Sequence, residues 1–169
     1  MSALYVILAL VIAQRLVELA WARRNTRRLI ARGAVEVGAG HYPLFIALHG
    51  GWLLAIAATV DPATPVIWGW AGAYGLIELA RLWVMVSLGP YFTTRIITLP
   101  GAALVRRGPY RYVAHPNYLV VVAEIVALPM IFGAVWIAIV FSLLNAALLF
   151  HRVRLESAAL EPRRGLQSF

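Results

Sequence analysis

The chain has 169 residues, 62% hydrophobic and 13% charged, with a mean hydropathy of +0.80. A soluble domain carries roughly 45–50% apolar and about 25% charged residues, so the composition excludes an ordinary water-soluble fold and points to a membrane. The net charge of +8 rests on fifteen basic residues, all arginine, and thirteen of them lie between the long apolar stretches. That placement fits membrane topology and anionic lipid headgroups and argues against nucleic acid as a partner.

A helix of about 20 apolar residues crosses the hydrocarbon core. The first candidate span is 3–21, which is apolar from its start, without a basic leader or a small-residue cleavage site. It therefore reads as a retained span rather than a signal peptide. The basic stretch 23–40 follows. The second span, 42–60, ends at Asp61-Pro62 and Pro65, and the third, 66–88, ends at Gly89-Pro90. The connection 89–117 is too long for a minimal linker, and its aromatic residues and glycines predict an ordered, functional loop. Spans 118–132 and 134–150 are shorter and separated by little more than Phe132-Gly133. They predict antiparallel neighbours, a tight helical hairpin.

Arginine placement orients these five spans. Arg23, Arg24, Arg27, Arg28 and Arg32 follow the first span; Arg95, Arg106, Arg107 and Arg111 lie in 89–117; Arg152, Arg154, Arg163 and Arg164 follow the fifth. The connections at 61–65 and around 133 hold none. The positive-inside rule then puts the N-terminus outside, and the long loops and C-terminus in the cytoplasm. Within the spans, Arg15 with Glu18 and Glu78 with Arg81 stand at i,i+3, where each pair meets on one helix face. Glu124 lies two turns into the fourth span. These charges either glue helices together or line a polar cavity open to the cytoplasm.

In 101–118, GAALVRRGPYRYVAHPNY, Gly108-Pro109 signals a turn and Pro116 biases His115 away from helical geometry. With Pro116 in its first turn, the fourth span points its N-terminal amides into the loop, where an anionic group would sit. Tyr110, His115 and Tyr118 would surround that point; alternatively they form an interfacial aromatic belt. Arg152 and Glu156 stand at i,i+4 where the fifth span emerges. As a plain exposed ion pair they are worth only about 0.3–0.5 kcal/mol. The hairpin, however, returns them to the membrane face that carries His115. A convergent set of Tyr, His, Asn, Arg and Glu at the mouth of an apolar cleft suits a polar cofactor plus a lipophilic acceptor. Cysteine is absent, and His41, His49 and His151 lack metal-ligand spacing with any carboxylate, so no metal site is expected.

The run GPYRYVAHPNY, the apolar hairpin and RVRLESAAL together closely resemble the isoprenylcysteine carboxyl methyltransferase family, over residues 89–162. Members are integral membrane enzymes that use S-adenosylmethionine. The resemblance implies an all-α integral membrane protein of five transmembrane helices, the last two a hairpin, with a cytoplasmic cofactor-binding loop and a C-terminal helix. It divides the chain into three N-terminal helices (1–88) and a methyltransferase core (89–169). His115, Pro116, Asn117 and Tyr118 resemble the family's cofactor-binding turn, and Tyr110 its aromatic cofactor contact. Ala102, Ala103, Leu104 and Val105 fall where the loop backbone lies along the cofactor. Glu156 resembles the acid that holds the cofactor's amino group, and Arg152 the catalytic arginine that places the acceptor carboxylate beside the sulfonium methyl.

Three positions depart from the family pattern. Ala114 replaces a basic residue, Ser157 a common second acid, and Arg95 an uncharged polar residue of eukaryotic members. They are compatible with cofactor binding but speak against a prenylcysteine substrate. The chain is also shorter than eukaryotic members and looks more like the small bacterial branch, some members of which resemble methyltransferases for long-chain polyketide phenols or pyrones. The function implied is methyl transfer to a carboxylate or hydroxyl oxygen on a lipophilic acceptor, at a bacterial inner membrane. Alternatives are a phospholipid amine N-methyltransferase and a non-catalytic membrane protein that retains the fold. The acceptor's identity and the oligomeric state are not readable.

Overall fold

The computed structural model describes residues 2–163, so Arg164 lies outside the described residues. Five α-helices dominate it: α1 (Ala3–Ile30), α2 (Tyr42–Thr59), α3 (Trp68–Leu88), α4 (Pro116–Met130) and α5 (Val135–Leu160). Of these, α1, α2, α3 and α5 are long and apolar enough to cross a membrane. Large apolar side chains face outward on all four, including Leu10, Val17, Leu54, Leu76 and Leu143. A helical bundle whose outer surface is oily is one solvated by lipid. The chain is a helical integral membrane protein.

Two helices run past their expected ends. α1 continues through the arginine cluster because no glycine or proline intervenes before Gly33, whose φ of 89° closes the helix. There the Ala34 N–H donates to Leu29 O (3.0 Å) and the Gly33 N–H to Ile30 O (2.9 Å), a pattern that satisfies the last carbonyls. Likewise, the expected C-terminal helix is no separate element, since α5 runs unbroken to Leu160. α4 is the short member. Its fifteen residues rise only about 22 Å, less than the roughly 30 Å hydrocarbon core. It packs against both α3 and α5, and residues 131–134 alone join it to α5.

A small sheet was not anticipated by an all-helical reading. β1 (Val35–Val37) pairs antiparallel with β2 (Ile96–Thr98), with Val35 opposite Thr98 and Val37 opposite Ile96. Strands of three residues are too short for alternation to show in a sequence. The sheet ties the connections after α1 and α3 together at one end of the bundle. Asn25, buried on α1, reinforces the tie: its Nδ2 donates to the carbonyls of Gly89 and Phe92, both at 2.9 Å.

Charges inside the bundle bond across helices more than along them. Arg15 meets Glu18 at 3.0 Å, as the i,i+3 spacing predicts. The Glu78–Arg81 pair expected on α3 does not form among the described residues. Instead Arg81 donates Nε (2.7 Å) and Nη2 (2.6 Å) to Glu18 on α1, and Nη1 to Glu124 on α4 (3.1 and 3.2 Å). Arg15 reaches Glu124 at 2.8 Å, and Gln14 bonds Glu78. The physical reason is geometric. A guanidinium offers five N–H donors in one plane, more than one carboxylate on its own helix can accept. Glu18, Arg81 and Glu124 are all buried, and none of them borders the cavity described below. The intramembrane charges therefore hold α1, α3 and α4 together.

Candidate active site

The loop between β2 and α4 is anchored on α3 before it reaches the cavity. Arg107 donates Nε to the Ser87 carbonyl (2.7 Å) at the end of α3. Gly108 follows at φ 57°, and a Cβ there would lie 2.0 Å from Ser87 Oγ, 2.9 Å from Ser87 Cβ and 3.2 Å from Trp83 Nε1. Only glycine fits both that backbone angle and that contact. Pro109 and Tyr110 then form a single helical turn, and His115 precedes α4.

Here a cavity of about 350 Å³ opens between the loop, the start of α4 and the last turns of α5. Of the expected residues, Leu104, Val105, Tyr110, His115, Asn117, Tyr118, Arg152 and Glu156 all line it. Ala102, Ala103 and Pro116 do not. Ala102 packs beside Leu29, Ala34 and Leu99, and Pro116 is buried in the first turn of α4. Ala114, at one of the three departures from the family pattern, also borders the cavity.

Arg152 and Glu156 form no direct ion pair among the described residues; the Tyr118 hydroxyl stands between them. It accepts from Arg152 Nε (2.8 Å) and donates to Glu156 Oε2. Arg152 is buried, and its Nη2 donates to the Thr94 carbonyl (2.8 Å) while its guanidinium lies 5.0 Å from the Phe45 ring centre. Of its five N–H donors, two are thus committed to protein. Those on Nη1 and the second on Nη2 are left, so an acceptor must approach the guanidinium end-on.

His115 stacks on Tyr118 with ring centres 5.5 Å apart, and its Nδ1 lies 3.9 Å from Glu156 Oε2. Its Nε2 is 3.2 Å from Ser157 Oγ, so the serine found in place of a second acid orients the imidazole. Arg95 is committed elsewhere: it bonds both Glu36 oxygens at 3.0 Å and lies 4.7 Å over the Tyr42 ring, bracing the sheet. Burial pushes the Tyr110 hydroxyl well above its ordinary pKa, and the Glu156 charge adds to the effect. Tyr110 therefore borders the cavity as a neutral phenol.

Electrostatically the cavity is lopsided. Arg95, Arg106, Arg152 and Arg163 border it, against one carboxylate, Glu156. Three participants were missed from the sequence. Thr94 contributes a backbone carbonyl and Phe45 a ring face from α2, neither of which has a sequence signature. Arg163 did carry a signal, the Pro162-Arg163 step just past α5, but nothing showed what it touches.

Comparison with known proteins places the chain in a family. The isoprenylcysteine carboxyl methyltransferase family model matches residues 71–162, just over half of the chain. The chain is 38% identical to the uncharacterised protein YpbQ of Bacillus subtilis, over 93% of this chain and 96% of that protein. It is 25% identical to an uncharacterised protein of Haemophilus influenzae, over 90% and 91% of the two chains. No solved structure matches it. The family match begins on α3 and takes in the β2–α4 loop, α4 and α5, and so the chain belongs to the isoprenylcysteine carboxyl methyltransferase family.

Proposed function

We propose that the chain is an S-adenosylmethionine-dependent methyltransferase acting on an oxygen of a lipophilic acceptor at the cytoplasmic face of a bacterial inner membrane. In this reading α4 is a fifth, short span that forms the hairpin with α5, and the β2–α4 loop is the cofactor loop. One observation carries the proposal: Arg152, Tyr118 and Glu156 form one hydrogen-bonded row along the cavity wall.

The residues present fit the cofactor. The cavity volume falls in the range of small-molecule sites, roughly 300–1,000 Å³. Glu156 is the one acid bordering the cavity among the described residues, and it would take the cofactor's ammonium. Tyr110, His115 and Tyr118 offer flat walls, and Asn117 offers a donor for a carboxylate. When bound, the cofactor supplies a sulfonium methyl that leaves a neutral thioether behind. The chain's own task is alignment, because in-line displacement needs near-attack geometry more than proton transfer. Arg152 would orient a carboxylate oxygen end-on, with Thr94 and Tyr118 fixing its plane. A carboxylate is already ionised at neutral pH, so no base is required. A hydroxyl acceptor would draw on His115, which Ser157 and Glu156 flank. A phospholipid amine fits less well, since it must lose a proton before transfer and gains nothing from the Arg152 guanidinium.

Membranes containing the protein, incubated with methyl-labelled S-adenosylmethionine and a bacterial lipid extract, should transfer label into the organic phase. The product should be base-labile if it is an ester. Label appearing equally with a Glu156→Gln variant would contradict the reading.

A further inference from the structure

Arg163 is unused by the chemistry above, yet it is buried against the cofactor loop. All three of its guanidinium nitrogens bond to the segment after β2. Nε donates to the Ala102 carbonyl (2.6 Å), Nη2 to the Ala103 carbonyl (3.2 Å) and Nη1 to Thr98 Oγ1 (3.3 Å). Just downstream, Leu104 and Val105 line the cavity, as Arg163 itself does. This stretch has no helix or strand of its own, and the Ala102 N–H to Leu99 O turn (3.2 Å) is its local backbone bond. A segment without a hydrogen-bonding ladder keeps one conformation only if something outside it holds its carbonyls.

We infer that Arg163 is a positioning residue: from the turn that closes α5, it clamps the 102–105 backbone into the conformation that forms one wall of the cavity. The inference rests on the cofactor reading for its ligand but not for its geometry. Two consecutive carbonyls bound by one planar guanidinium fix the direction of the peptide between them, which a single bond would not. The clamp also links α5, which carries Arg152 and Glu156, to the opposite wall. Cofactor affinity should then depend on a residue that need not touch the cofactor at all.

The test compares wild type with Arg163→Met, which keeps side-chain length and loses all three bonds. It uses S-adenosylhomocysteine binding, the KM for S-adenosylmethionine and hydrogen exchange of the 102–105 amides. Binding should weaken about tenfold or more, since several charge-assisted bonds hold the wall. KM should rise while kcat at saturating cofactor stays within about twofold, because a positioning loss is confined to binding. Arg163→Lys should recover only part of the affinity. Wild-type binding with unchanged affinity in Arg163→Met would overturn the inference and leave the cofactor reading standing. If wild type itself binds no S-adenosylhomocysteine, the cofactor reading fails, and hydrogen exchange alone decides the clamp. Faster exchange at 102–105 in the variant supports the clamp, and equal exchange overturns it. Should Arg163→Met not yield folded protein, the same comparisons are made with Arg163→Lys, for which wild-type affinity and exchange would overturn the inference.

Discussion

Arg81→Leu is expected to lower sharply the recovery of folded protein from the membrane. Arg81 bonds Glu18 on α1 through two nitrogens and Glu124 on α4 through a third, and all three side chains are buried. Removing it leaves Arg15, among the described residues, as the one cation for three carboxylates, at 3.0 Å from Glu18, 2.8 Å from Glu124 and 3.7 Å from Glu78. Breaking a buried ion pair by removing one partner costs about 3–5 kcal/mol, against a typical total stability of about 5–15 kcal/mol. The double variant Arg81→Leu/Glu18→Leu should be better folded than Arg81→Leu alone, since it removes the carboxylate that the first change strands. The yield of monodisperse protein in mild detergent and its melting temperature measure both. A double variant worse than the single one would show that loss of Arg81 does not strand the Glu18 carboxylate.

The second large effect falls on activity. Arg152→Ala should lower methyl transfer on the order of 100-fold, the scale of a misplaced reactant. Two causes are superimposed, however, because Arg152 both borders the cavity and holds the Tyr118 hydroxyl. Tyr118→Phe separates them: it keeps the aromatic wall and cuts the link to Arg152 and Glu156. If Arg152 touches the acceptor, Arg152→Ala loses clearly more activity than Tyr118→Phe. Equal losses would make Arg152 a support for Tyr118 and would favour an acceptor without a carboxylate. Arg152→Lys should rescue little, because a point charge cannot bond Tyr118 and Thr94 and still present a planar end to the acceptor.

The spans and the site were legible to different degrees. Long apolar runs and their proline or glycine stops located the helices, because about twenty apolar residues have few other uses. Arginine placement put His115 and Glu156 at one end of the bundle, and the i,i+4 spacing put Arg152 beside Glu156 on one face. What spacing does not carry is rotation about a helix axis relative to its neighbours. For that reason Arg81 was paired with Glu78 on its own helix, when Glu18 and Glu124 on two others receive it. The same blindness hid Tyr118 between Arg152 and Glu156. A direct ion pair and a tyrosine-bridged one have identical sequence spacing, and only packing of α4 on α5 distinguishes them. Contacts to backbone carbonyls, from Arg152 to Thr94 and from Arg163 to Ala102, leave no side-chain pattern to read.

The departures from the family pattern read differently once placed. Ser157 bonds His115 and Arg95 bonds Glu36, so each has a partner within this chain. Ala114 lines the cavity.

Direct titration of the purified protein with S-adenosylhomocysteine, in a detergent that keeps it monodisperse, tests the central claim. Saturable one-to-one binding in the micromolar range is expected, weakened about tenfold or more in Glu156→Gln by loss of a charge-assisted bond. No binding at millimolar ligand by folded protein, or equal binding by Glu156→Gln, would contradict the assignment of this cavity to the cofactor.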